Sequence, residues 1–133
     1  VVERGDAESI LAELRQSGVM LAIATGKSQH GLQRALAATG LGAEFAATRC
    51  ADQTHPKPHP AMLLELAEEL MVAPQRTLMV GDTTHDLQMA EAAQAAAVGL
   101  TQGAHPYEQL AACRPLALFD SLAQLHQWLM PNR

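Results

Sequence analysis

Three short segments of the sequence carry side chains able to do chemistry. The first is Thr25-Gly26-Lys27-Ser28, which follows the apolar run 19–24. A hydroxyl at the end of a buried strand, a glycine that lets the backbone come close, and a helix N-terminus behind them suit an anion. The same residues also suit a plain helix cap, with Thr25 or Ser28 as the capping residue. The second segment is His55-Pro56-Lys57-Pro58-His59-Pro60. Prolines on both sides stiffen the loop, so little entropy is lost when Lys57 is held toward a phosphate or a carboxylate. A solvated loop lysine is the ordinary alternative. The third segment is Val80-Gly81-Asp82-Thr83-Thr84-His85-Asp86. Two carboxylates four residues apart at a strand-to-helix turn offer hard oxygen ligands, and Mg²⁺ takes one or two protein carboxylates while keeping several waters. A turn residue at Asp82 and a helix-start acid at Asp86 would account for the same pattern.

The elements that must position these segments follow from the apolar period. Asp6 as N-cap, Ile10, Leu11 and Leu14 on one face, and Gly18 at the end predict a first helix. The run 19–24 predicts a strand buried on both faces, followed by a helix over 29–38. A short strand over 45–48, a polar, proline-rich loop over 52–59 and a helix from Pro60 to Leu70 come next. Then follow a buried strand over 77–80, a loop over 81–84, a helix over 86–95 and a strand over 96–100. A helix over 107–112, a strand over 116–119 and a helix over 121–129 capped by Ser121 close the chain. Strands alternating with helices predict an α/β fold with a parallel sheet. In such sheets ligands gather at the carboxyl ends of strands, where Thr25 and Asp82 fall.

The 133 residues are enough for one core. Aromatics make up only 3%, so Leu, Ala, Val and Met must fill it, and Trp128 is expected to pack on it. The net charge of -5 and the absence of a basic run exclude the nucleic-acid-binding classes. No apolar stretch approaches the ~18 residues of a membrane span. Two isolated cysteines, Cys50 and Cys113, fit a reducing cytoplasm better than a disulfide framework. His30, His85, His105 and His126 share no ligand spacing and read as surface or loop residues; His55 and His59 flank the lysine loop and could face a phosphate.

Thr25 in Ala-Thr-Gly-Lys-Ser, Lys57 in Lys-Pro-His-Pro, and Asp82 with Asp86 in Gly-Asp-Thr-Thr-His-Asp form an ordered set. The set resembles motifs two, three and four of the haloacid-dehalogenase superfamily, and its phosphoglycolate-phosphatase-like enzymes in particular. The likeness runs over nearly the whole chain, Ala97-Val98-Gly99-Leu100 included. It implies a Rossmann-like three-layer α/β/α sandwich. It also implies a magnesium-dependent phosphate-monoester hydrolase that acts on a small phosphorylated metabolite through an aspartyl-phosphate. Thr25 and Lys57 would be the catalytic residues: Thr25 and Gly26 bind the phosphate and Lys57 stabilises it. Asp82 would ligate Mg²⁺, and Asp86 would support the metal or ligate it through water. Gln94 stands near a position where the family often has Gly, which bears only on the local turn.

One departure from the family stands out. Its first motif, Asp-x-Asp in a Gly-Thr setting, supplies the nucleophile and the acid/base, and it is absent here. Asp6 precedes a helix, Asp52 lies in the proline-rich loop and Asp120 caps the last helix. Residues 1–133 are therefore expected to be the C-terminal part of the superfamily's core domain, inactive alone, with the central motif-one strand and the cap upstream of Val1. An N-terminal segment or a second chain would complete the sheet. A gap between the strands that carry Thr25 and Asp82 is the structural mark of this reading. Direct pairing of the two would favour the alternative, a non-catalytic phosphate- or partner-binding module.

Overall fold

The computed structural model describes residues 4–101 and 106–130. Five parallel strands alternate with six helices: α1 (Arg4–Gln16), β1 (Ala22–Thr25), α2 (Gln29–Thr39), β2 (Ala47–Cys50), α3 (Ala61–Glu69), β3 (Leu78–Gly81), α4 (Thr84–Ala92), β4 (Ala96–Leu100), α5 (Tyr107–Ala112), β5 (Ala117–Phe119) and α6 (Leu122–Leu129). This is the expected α/β class with parallel pairing. Most boundaries fall within two residues of the sequence reading, and β4 and α5 coincide with it.

The strands form two separate ladders. Ala22 to Thr25 of β1 lie opposite Ala47 to Cys50 of β2. Leu78 to Gly81 of β3 lie opposite Ala96 to Gly99 of β4, which pairs in turn with β5. Among the described residues no ladder joins β1 to β3. The expected gap is therefore present.

Its physical consequence corrects the reading of β1 and β3 as fully buried strands. No residue of β1 is buried, and Val80 of β3 is 36% exposed. In β4, flanked on both sides, Ala97 to Gly99 are buried, with Val98 at 0%. A strand with a bare edge loses the cover that a neighbour's side chains provide.

What holds the two ladders together is side-chain packing. Met62 and Leu63 of α3, on the β1–β2 side, share one buried cluster with Leu87, Met89 and Ala90 of α4 and Leu110 of α5. Ala24 of β1 and Met79 of β3 pack against that cluster from their separate ladders. Each fully buried Leu or Met side chain contributes about 1.5–3 kcal/mol. The interhelical cluster thus does the work that a ladder would otherwise do.

Caps mark the helix ends. Ser28 Oγ accepts from the Gly31 N–H and Ser121 Oγ from the Gln124 N–H. Thr25 is therefore not the cap of α2. Asp120 does not cap α6 either: its carboxylate accepts from the Thr101 hydroxyl at 2.9 Å. Asp6 lies within α1 rather than ahead of it. Gly18 ends that region with φ +97°, where glycine is the favoured residue. Gln94 adopts φ +62° after α4, the conformation in which Gly is ordinarily preferred.

Side-chain placement brings further corrections. Met62 and Met89 are core residues, but Met71 is 91% and Met20 51% exposed. Trp128 packs on Phe119, with ring centroids 5.6 Å apart, and still exposes 44% of its surface. His126 is not a loop residue: it pairs with Glu13 and so links α6 to α1. His105 lies outside the described residues. Cys50 and Cys113 are free thiols, and burial pushes the Cys50 thiol up from its ordinary value.

Candidate functional site

Each chemistry-bearing segment follows the carboxyl end of a strand. Thr25 is the last residue of β1, in register with Cys50, the last of β2. The loop that carries Lys57 leaves from Cys50. Asp82 follows Gly81, the last residue of β3, and Asp86 sits in the first turn of α4.

Lys57 and Asp86 meet directly. The Lys57 Nζ donates to Asp86 Oδ1 at 2.5 Å, with 19% and 4% of the two side chains exposed. The other oxygen of Asp86 accepts from the backbone N–H of Asp82 (3.2 Å) and of Thr83 (3.3 Å) and from the Thr83 hydroxyl (3.1 Å). Thr83 returns the bond by accepting from the Asp86 N–H, so the two form a capping box. A carboxylate this buried needs such partners, because an unpaired buried charge is strongly unfavourable. Gly81 leaves the necessary room: a Cβ there would stand 2.2 Å from the Asp86 Cβ. The Thr-x-x-Asp spacing of Thr83 and Asp86 is the local sequence signal for this box.

Asp82 is exposed, and among the described residues no hydrogen bond or ion pair engages its carboxylate. It is the carboxylate available to a cation, whereas Asp86 is committed to Lys57 and to the turn. No group of three His, Cys, Asp or Glu among the described residues could hold a metal. An exposed carboxylate of this kind could serve a hard ion that keeps most of its water.

Around Thr25 the hydroxyl oxygen accepts from the Lys27 N–H at 3.1 Å, which leaves its own proton to donate. The N-terminus of α2 is less open than the sequence suggested. Both oxygens of Asp52 accept from the Gln29 N–H, at 3.1 and 3.2 Å, and Ser28 takes the Gly31 N–H. Ala51 N–H donates to the Lys27 carbonyl at 3.0 Å. These bonds tie the loop after β1 to the loop after β2. Thr25 itself makes no hydrogen bond to Lys57 or Asp82 among the described residues. His55 and His59 stack on each other, with centroids 4.5 Å apart, and His59 Nδ1 accepts from the Ala61 N–H. The Lys57–Pro58 peptide bond is cis.

Sequence reasoning missed the group behind the lysine loop. The Thr54 hydroxyl donates to Glu65 Oε2 at 2.6 Å, and Arg49 Nε donates to Glu65 Oε1 at 3.1 Å. Arg49 also reaches Glu69 at 2.8 Å. These residues are 11 to 20 positions apart, and no local spacing signals their meeting.

A sequence profile described as haloacid dehalogenase-like hydrolase matches residues 1–100. The chain belongs to the haloacid dehalogenase-like hydrolase family. It is 42% identical over 116 residues to the Dickeya dadantii (strain 3937) protein named "Probable phosphatase IndB", covering 86% of this chain and 50% of that protein. It is 35% identical over 122 residues to phosphoglycolate phosphatase of Pasteurella multocida (strain Pm70), covering 90% of this chain and 54% of the relative. Among solved structures, a predicted phosphoglycolate phosphatase from Haemophilus somnus 129PT superimposes with a TM-score of 0.87 at 29% identity. That match covers 94% of this chain and 56% of the other. The chain thus spans about half the length of the curated relatives it matches. Within this haloacid dehalogenase-like chain no helix of the described residues is long and apolar enough to cross a membrane.

Proposed function

We propose that this chain is the phosphate- and metal-binding part of a magnesium-dependent phosphate-monoester hydrolase of the phosphoglycolate-phosphatase type, acting in the cytoplasm on a small phosphorylated metabolite. The observation that carries the reading is the contact between half-buried Lys57 and buried Asp86. It joins the loop after β2 to the start of α4 and holds an ammonium group beside the carboxyl end of β3. In this reading Lys57 stabilises charge on the transferring phosphoryl group, and the Thr25 hydroxyl, with the Gly26 backbone, binds a phosphate oxygen. Asp86 holds the Lys57 side chain in place through their direct contact. Asp82 would hold Mg²⁺, and the ion would supply Lewis-acid stabilisation of developing charge. The nucleophilic aspartate that would form the aspartyl-phosphate belongs to a strand outside residues 1–133, seated between β1 and β3. Residues 1–133 are then the C-terminal part of the core domain, and a cap outside them selects the substrate.

The test uses inorganic phosphate and vanadate with Mg²⁺ and the purified chain. Lys57→Ala is expected to weaken anion binding at least about tenfold, the scale of one lost charge-assisted hydrogen bond, while Lys27→Ala leaves it nearly unchanged. Equal effects of the two substitutions would refute the assignment. Turnover of an aryl phosphate by this chain should stay at background, since loss of a nucleophile removes several orders of magnitude of rate. Robust turnover that Asp82→Asn abolishes would show that the nucleophile lies within the chain.

A further inference from the structure

The loop that presents Lys57 is fastened at both ends to one helix. At its far end Pro60 leads directly into α3, the His59 side chain accepts from the Ala61 N–H at 3.0 Å, and the Pro60 carbonyl accepts from Leu64 N–H. At its near end the Thr54 hydroxyl donates to Glu65 Oε2 at 2.6 Å, and Glu65 lies one turn into the same helix. The second oxygen of Glu65 is held by Arg49 of β2 at 3.1 Å. Arg49 is itself braced by Glu69 at 2.8 Å and by the Thr48 carbonyl at 2.9 Å. Between Thr54 and Lys57 lie only His55 and Pro56. Pro56 restricts its own backbone and that of His55, so a displacement at Thr54 is carried to Lys57 rather than absorbed on the way. The His59 N–H to Pro56 carbonyl bond at 3.1 Å closes the turn that contains Lys57.

We infer that Glu65 is a positioning residue for Lys57, acting through Thr54 and oriented by Arg49. The inference rests on the reading of Lys57 as the phosphate-stabilising group. It goes further by naming what sets that group's reach. The geometry gives Glu65 a reason to be a carboxylate: it accepts from a hydroxyl with one oxygen and from a guanidinium with the other. Its partners agree in sense, since the Thr54 hydrogen bond and then Arg49 hold the Glu65 carboxyl below its ordinary value. His55 also lies close enough for its charge to act in the same direction. The clamp is half-open to water, with 41% of the Glu65 side chain exposed. Its effect is therefore on loop geometry more than on fold stability.

The sequence offers a clean readout, because Lys27 and Lys57 are its only lysines. In ¹⁵N-lysine-labelled chain the partly buried, ion-paired Lys57 ammonium should give a proton-detected signal that exchanges more slowly with water than that of exposed Lys27. Lys57→Ala identifies the signal. Glu65→Ala and Thr54→Val are each expected to speed that exchange and to weaken phosphate binding by about 3–10-fold, the scale of one lost hydrogen bond. Glu65→Gln, which keeps an oxygen for Thr54 but sets an amide N–H₂ against Arg49, should recover only part of both. Far-UV circular dichroism identifies any variant that has simply unfolded, and Thr54→Val then serves as the milder substitution. Wild-type exchange and affinity in both folded Glu65→Ala and Thr54→Val would overturn the inference. If Lys57→Ala leaves phosphate binding intact, the functional reading fails, while the Lys57 ammonium signal still decides whether Glu65 positions the side chain.

Discussion

Asp86 satisfies two needs with one carboxylate. One oxygen closes the capping box at the start of α4, and the other accepts from Lys57. The side chain is 4% exposed, so its removal leaves an ammonium group partly buried without its partner. Asp86→Ala should therefore destabilise the chain by about 3 kcal/mol or more, above the ~1 kcal/mol of a lost cap alone. Asp86→Asn, which retains acceptors for Thr83 and the backbone, should cost less. Urea unfolding of the two variants separates the terms, and equal losses would mean that the cap contributes nothing beyond the ion pair. Gly81 belongs to the same arrangement, since its missing Cβ is what lets Asp86 lie against β3.

Among the elements, β2, the loop after it and α3 behave as one unit, joined by Arg49, Thr54 and Glu65. The Thr54 hydroxyl, and after it Arg49, hold the Glu65 carboxyl below its ordinary 4.5 in the folded chain. A carboxyl with a depressed folded value contributes stability that is present above its unfolded value and is lost as pH falls through the folded one. The stability difference between wild type and Glu65→Gln should thus be largest near neutrality and close as the pH drops below 4.5. Denaturant midpoints across a pH series measure it, and a difference that stays constant into acid would remove the carboxylate from the account. The α2 N-terminus shows the same dependence between elements. Its first amide is satisfied by Asp52 from the loop after β2 rather than by a residue of its own segment.

For the molecule as a whole, the gap between β1 and β3 is the dominant feature. Each strand pairs on one side only, and the two ladders are joined through the Met62–Leu87–Leu110 cluster. Backbone groups that face the gap have no strand partner among the described residues. Amide hydrogen exchange should show strong protection in β4 and little at the alternate amides of β1 and β3 that face the gap. A longer form of the protein that supplies the strand should protect those same amides. Uniform protection across β1, β3 and β4 in residues 1–133 would mean that the ladders close on each other in solution. Domain stability is usually only ~5–15 kcal/mol, so an unfilled central position should also place this chain near the low end of that range.

By itself the sequence determined the element order, the parallel α/β class and the placement of Thr25, Lys57 and Asp82 after strand ends. These follow from apolar period and from Pro and Gly punctuation, which are local. It also led to the gap, because the resemblance named a strand that no residue here supplies. Only the tertiary structure decided how the segments are used. Ser28 and Asp52, not Thr25, cap α2. Asp86 turns to Lys57 while Asp82 faces solvent, although the two acids look equivalent in the sequence. Arg49, Thr54 and Glu65 converge only when β2 and α3 pack together. Contacts between residues far apart in the chain depend on where whole elements come to rest, and periodicity within one element carries no record of that.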